Sequence, residues 1–237
     1  MKAKSINKMA RIAAFVLLLF MPVAIFGLVY LPSVLIVRGD AAATARNIMA
    51  SESLFRLGIV SALLVQLIQI VWVLVLYLLL KPVGRNLASL MVILLLLGVP
   101  IAMVNELNQF AILRLLHDAD HWAVFTPDQL HALVSLFLNL HSNGLAIAGI
   151  FWGLWLFPYG YLVFKSGFLP KLLGVLLIIG GFGYLIQSFT ALALPNLIAR
   201  IALLPVLTSW GELLVPLWLV FKGVNVEQWE KRAAESG

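Results

Sequence analysis

The sequence has no cysteine and little charge: 16 lysines and arginines, 10 aspartates and glutamates and 4 histidines are spread over 237 residues. Without a thiol there is no disulfide and no thiolate metal site, and cysteine usage gives no clue to the redox compartment. Charged residues are 11% of the chain and hydrophobic ones 63%, and the mean hydropathy is +1.06. A soluble domain of this composition would carry an aggregating surface, so the chain is expected to be an integral membrane protein. Also missing are a Gly-rich phosphate loop, a Ser/His/Asp set, a haem-attachment motif and any Pro/Gly/Ser-rich linker.

The charge that is present separates long apolar runs. Uncharged stretches extend from Ile12 to Val37, Leu57 to Leu80, Asn86 to Asn105, Ala132 to Phe164, Leu172 to Ala199 and, with one interruption, Ile201 to Phe221. Each reaches the roughly 20 residues that a helix needs to cross about 30 Å of hydrocarbon. A β-barrel would instead show short alternating segments. The expected fold is an all-α integral membrane bundle of six transmembrane helices. It forms a single polytopic domain over 1–237, with spans near 11–31, 55–80, 87–113, 130–164, 171–194 and 200–222 and an outer-surface loop at 32–54.

A net charge of +6 and a pI near 9.8 suggest nucleic acid at first sight, but the cations lie between spans rather than on a face with interleaved aromatics. No nucleic-acid partner is expected; the partner is the lipid bilayer. Lys2, Lys4, Lys8, Arg11, Lys81, Arg85, Lys165, Lys171, Lys222, Lys231 and Arg232 flank the even turns and the two ends, whereas the odd loops hold Asp40, Glu52, Asp118, Asp120 and Asp128. By the positive-inside rule both termini are cytoplasmic. The apolar first run is long and "GLVYLPS" offers no small-x-small cleavage site, so it reads as an uncleaved helix. In the first loop Asp40 is placed to cap the Ala-rich run after it.

Spans two, four and six end alike, in "YLLLK", "YLVFK" and "WLVFK", which admits three tandem helical hairpins. An interfacial aromatic followed by lysine is equally what any span entering the cytoplasm tends to carry.

The runs are interrupted by polar groups at one depth. At 1.5 Å per residue, Glu106 lies roughly 15 Å from the outer end of its helix, His141 roughly 17 Å, Gln187 roughly 12 Å and Glu212 roughly 18 Å. Gln66 and Gln69 fall in the same slab. A carboxylate facing lipid is costly, so these groups are expected to face one another or a wet cavity. Asn105, Glu106, Gln109, Asn139, His141, Gln187 and Glu212 are therefore the candidate residues of a polar chamber open to the outside, with Pro205 and Pro216 loosening the backbone around Glu212. Ser135, Asn139, Ser142, Ala146, Gly149 and Gly153 form a stripe fit for close helix contact, and "GGFG" at 180–183 reads as helix packing.

Three chemistries fit the layer. Glu106, His141 and Glu212 offer the oxygen and imidazole ligands of a divalent metal site with open positions, as a metal-dependent intramembrane enzyme would use. The same groups suit a transporter that binds a small polar solute, a cation or a proton. They also suit a purely stabilising hydrogen-bonded cluster. The sequence specifies no cofactor and no oligomeric state. "HDADH", His117 to His121, with His131 nearby, offers two histidines at i, i+4 for a zinc ion, or a solvated interfacial turn anchored by Trp122 and Phe125.

"VRGDAAATARNI", "ASESLFRLGIV", "VNELNQF", "FTPDQL", "IFWGLWLFPYGYLVFKSGFLPKLLGVLLIIGG" and "GELLVPLWLVFKG" cover most of the chain. In them it resembles a bacterial multi-pass membrane family known as domain of unknown function 4386. The resemblance implies a bacterial inner-membrane location and supplies no activity, cofactor or partner. "HDADH" lies outside the family pattern.

Overall fold

A computed structural model describes residues 3–37, 39–117 and 124–235. Among them every regular element is helical: α1 (Ala3–Ile25), a π-helical turn (Phe26–Tyr30), α2 (Leu31–Leu35), α3 (Ala41–Ala50), α4 (Glu52–Leu80), α5 (Arg85–Asn105), α6 (Leu107–His117), α7 (Pro127–Leu154), α8 (Leu156–Ser166), α9 (Lys171–Ala193), a 3-10 turn (Pro195–Ile201), α10 (Leu204–Thr208), α11 (Trp210–Phe221) and α12 (Val226–Glu235). Six helical stretches are long and apolar enough to cross a membrane: Lys4–Leu35, Glu52–Leu80, Arg85–His117, Pro127–Ser166, Lys171–Ala193 and Leu204–Phe221. This is the all-helical, six-span architecture read from the apolar runs. The fourth stretch, of 40 residues, is longer than the apolar run alone indicated, because polar helical turns at its start continue the same helix.

The chain divides into two compact units. One comprises Met1–Leu19, Ile68–Pro100 and Ala146–Gly237, and the other Phe20–Leu67 and Ile101–Leu145.

In the first unit glycines set the helix spacing. A Cβ on Gly160 would come within 2.6 Å of the Gly174 carbonyl oxygen, and one on Gly174 within 2.5 Å of that of Gly160. Gly153 and Gly181 repeat the relation at 2.9 Å in each direction. The pairs lie seven residues apart on both helical stretches and run oppositely, so α8 and the end of α7 lie antiparallel against α9 with backbones in contact. On α9, Gly183 faces the Thr208 side chain, and a Cβ on Gly211 of α11 would reach Leu177 N at 2.6 Å. The turn from α8 to α9 uses Gly167 at φ +77°, a left-handed helix end that suits glycine. Trp229 of α12, buried, donates from Nε1 to the Leu79 carbonyl at 2.9 Å, and Asn7 Oδ1 accepts from Val224 N at 3.0 Å.

The second unit packs Leu35, Ile48, Phe55, Ile59, Ile112, Leu113, Leu115 and Val134 together. Asp40 caps α3, accepting from Ala43 N at 2.7 Å, as its place before the Ala-rich run indicated. Thr44 and Asn47 tie α3 back to the end of α2, through Val37 N to Thr44 Oγ1 at 2.9 Å and Asn47 Nδ2 to Leu35 O at 3.3 Å. Gly27 lets the π turn approach α4, where a Cβ would stand 2.6 Å from that of Ser61.

Candidate functional site: the Glu106–His141 cluster

Span three is not one unbroken helix. α5 stops at Asn105 and α6 starts at Leu107, with Glu106 between them. The local bonding shows how: Glu106 N bonds Met103 O at 3.3 Å and Gln109 N bonds Glu106 O at 3.0 Å, both three residues back instead of four. That tightening takes Gln109 N away from the carbonyl of Asn105. A buried carbonyl needs a donor, and Asn108 Nδ2 supplies it at 3.0 Å while also meeting Asn105 Oδ1 at 3.0 Å. The amides of "NELNQF" thus repair a helix break that places Glu106 at its centre.

From α7, His141 completes the cluster. Its Nε2 lies 3.1 Å from Glu106 Oε1 and 2.9 Å from Gln109 Nε2, and its backbone carbonyl accepts from Asn105 Nδ2 at 2.8 Å. Glu106 is 3% and Asn105 7% exposed. The cluster depends on Gly144, one turn beyond His141, because a Cβ there would overlap the Asn105 carboxamide.

A ring nitrogen carries either a proton or a lone pair, which restricts the arrangement. With a proton on Nε2, His141 donates to the Glu106 carboxylate and Gln109 must turn its oxygen inward. With a lone pair on Nε2, that single lone pair accepts either from Gln109 Nε2 or from a protonated Glu106, and not from both. Meanwhile Glu106 Oε2 is buried with no hydrogen-bond partner among the described residues, an exception to the rule that buried polar atoms are paired.

Of the seven sequence candidates, the second unit brings together Asn105, Glu106, Gln109 and His141. Asn139 does not join them; it stands exposed on α7. Gln187 and Glu212 belong to the first unit, both half-buried. There Glu212 lies close enough to the Tyr184 hydroxyl for the two to interact electrostatically. The backbone before Glu212 breaks at Ser209, between α10 and α11, while Pro216 is absorbed inside α11. Gln66 and Gln69 each bury an Oε1 with no partner among the described residues. Among the described residues no three His, Cys, Asp or Glu side chains are grouped to hold a metal ion, and the set of Glu106, His141 and Glu212 is divided between the two units. Of "HDADH", residues 118–121 lie outside the described residues; His117 Nε2 meets Glu52 Oε2 at 2.8 Å.

Sequence reasoning missed Gly144 and the role of Asn108. The available signal was a glycine at i+3 from an intramembrane histidine, inside a helix where it has no propensity reason to be.

No solved structure matches the chain. An uncharacterized protein of Archaeoglobus fulgidus is 30% identical over 173 residues, covering 72% of this chain and 86% of that protein. The family described as domain of unknown function 4386 matches residues 12–223. The chain therefore belongs to that family, as a multi-pass helical membrane protein.

Proposed function

We propose that Glu106 and His141, framed by Asn105, Asn108 and Gln109, form a binding site for a proton or a small cation, and that the protein moves this species rather than catalysing a reaction. The observation that carries the reading is the second carboxyl oxygen of Glu106, buried and without a donor among the described residues, beside a ring nitrogen already engaged by Oε1. A carboxyl in apolar surroundings is costly to keep and tends to mark an ion or proton path. Both termini are cytoplasmic in this proposal, the membrane is the bacterial inner membrane, and the site is reached from outside. In vesicles loaded with a pH-sensitive dye, wild type passes protons or exchanges a cation against them at a rate that Glu106→Gln abolishes. Equal rates for the two proteins across proton and monovalent and divalent cation gradients would reject transport through this site.

A second reading has its own support. Asn105 is fitted to the His141 carbonyl and to the space above Gly144 closely enough for the cluster to act as a clasp between helices, in which case Glu106→Gln folds normally and no flux depends on it.

A further inference from the structure

The second unit carries a cavity of about 650 Å³ lined by Arg56, Leu107, Phe110, Leu113, Arg114 and His117, within the size range of small-molecule sites. Its walls are sorted by polarity. On α6, Leu107, Phe110, Arg114 and His117 follow one helical face. The two apolar residues lie nearer the Glu106 break and the two basic ones nearer the helix end, about 15 Å away at 1.5 Å per residue. Arg56 of α4 adds a second guanidinium at the basic end, four residues from the start of its helix. Leu107 is 63% and Phe110 40% exposed, so the apolar part is an open surface against which a chain can lie.

We infer that this groove binds one anionic phospholipid, with its phosphate between Arg56 and Arg114 and the first carbons of its acyl chains along Leu107 and Phe110. A soluble anion would have no use for the apolar wall, and a neutral lipid none for two guanidiniums. Cations in the last turn of α6 do offset the helix dipole, but that accounts neither for Arg56 on another helix nor for the cavity. Glu52 holds the site partly closed, since its carboxylate pairs with Arg56 and with His117. Arg56 is paired with Glu52 and Arg114 is engaged as well, but a guanidinium has five N–H donors, so each keeps donors for a phosphate.

The test uses the full chain in mild detergent, with native mass spectrometry reading retained lipid and a thermal melt reading folding. The probes are long-chain phosphatidylglycerol, long-chain phosphatidylcholine and glycerol phosphate. Wild type retains one phosphatidylglycerol in preference to phosphatidylcholine, and Arg56→Gln with Arg114→Gln lowers that retention about tenfold or more. Leu107→Trp, which fills the apolar wall at an exposed position without touching a charge, also lowers it. Glu52→Gln raises it, because it removes the competing carboxylate. Should the double arginine variant melt early, the Leu107 and Glu52 variants carry the test in its place. Equal retention of the two lipids, or retention indifferent to Leu107→Trp and Glu52→Gln, would overturn the inference. Stabilisation by glycerol phosphate alone, equal to that by the lipid, would also overturn it and assign the cations to a soluble phosphate.

Discussion

Glu106 Oε1 stands 3.1 Å from His141 Nε2, and the same nitrogen is 2.9 Å from Gln109 Nε2. Two side chains, those of Glu106 and Gln109, thus converge on one ring atom of a third. Removing the carboxyl unbalances the other two. Glu106→Ala should lower unfolding stability by about 1–3 kcal/mol through the partners left behind, whereas Glu106→Gln, which keeps an oxygen at the same reach, should cost about 1 kcal/mol or less. Thermal melts in a single detergent compare them. A wild-type-like Ala variant would show that the carboxyl supports nothing in the fold.

Gly144 and Asn105 should behave as a coupled pair. Gly144→Ala forces a methyl into the Asn105 carboxamide and should destabilise by about 1–3 kcal/mol, the range for overpacking. Asn105→Ala opens that space but gives up the bond to the His141 carbonyl. With both changes the steric part of the loss disappears, so the double variant should be more stable than the sum of the single losses implies. Strict additivity would mean that the side chains do not meet.

The glycine pairs between α8 and α9 are a separate matter. Gly160→Ala and Gly174→Ala should each destabilise by about 1–3 kcal/mol, because the obstacle is a facing backbone carbonyl, which cannot swing aside as a side chain can. Alanine normally improves a helix over glycine by about 0.8–1 kcal/mol, so a gain in melting temperature at either position would contradict the close packing.

Much of this was legible because it follows from transfer energies and periodicity. Six spans were readable from uncharged runs, and the Asp40 cap from one acidic residue before alanines. In the candidate site, the adjacency of Asn105, Glu106 and Gln109 followed from helix spacing, and His141 was placed at similar depth by counting residues. Depth is one coordinate, however. It does not tell which neighbours each helix faces: Glu212 and Gln187, at the depth of Glu106, belong to the unit in which the glycines of α9 make their contacts. Asn139, two residues from His141, points about 200° around the helix from it and stands exposed. The break at Glu106 was not legible at all, because it shows only when each backbone donor is followed to its acceptor.

The topology has its own measurement. Reporter fusions after Lys81, Asp118 and Lys171 should read cytoplasmic, external and cytoplasmic in turn, as the distribution of lysine and arginine between loops requires. An external signal after Lys171 would invert the second half of the chain and place the cluster on another path.

Infrared difference spectroscopy on the reconstituted protein tests the central claim most directly, because it reads the protonation and contacts of a single carboxyl. Spectra recorded across a pH step, and separately on addition of sodium or calcium, should contain a carboxyl band that responds in wild type, is missing in Glu106→Gln and is displaced in His141→Asn. Identical difference spectra for wild type and Glu106→Gln under every condition would mean that this carboxyl neither gains nor loses a proton nor meets an ion, and the cluster would then be a clasp between helices and not a binding site.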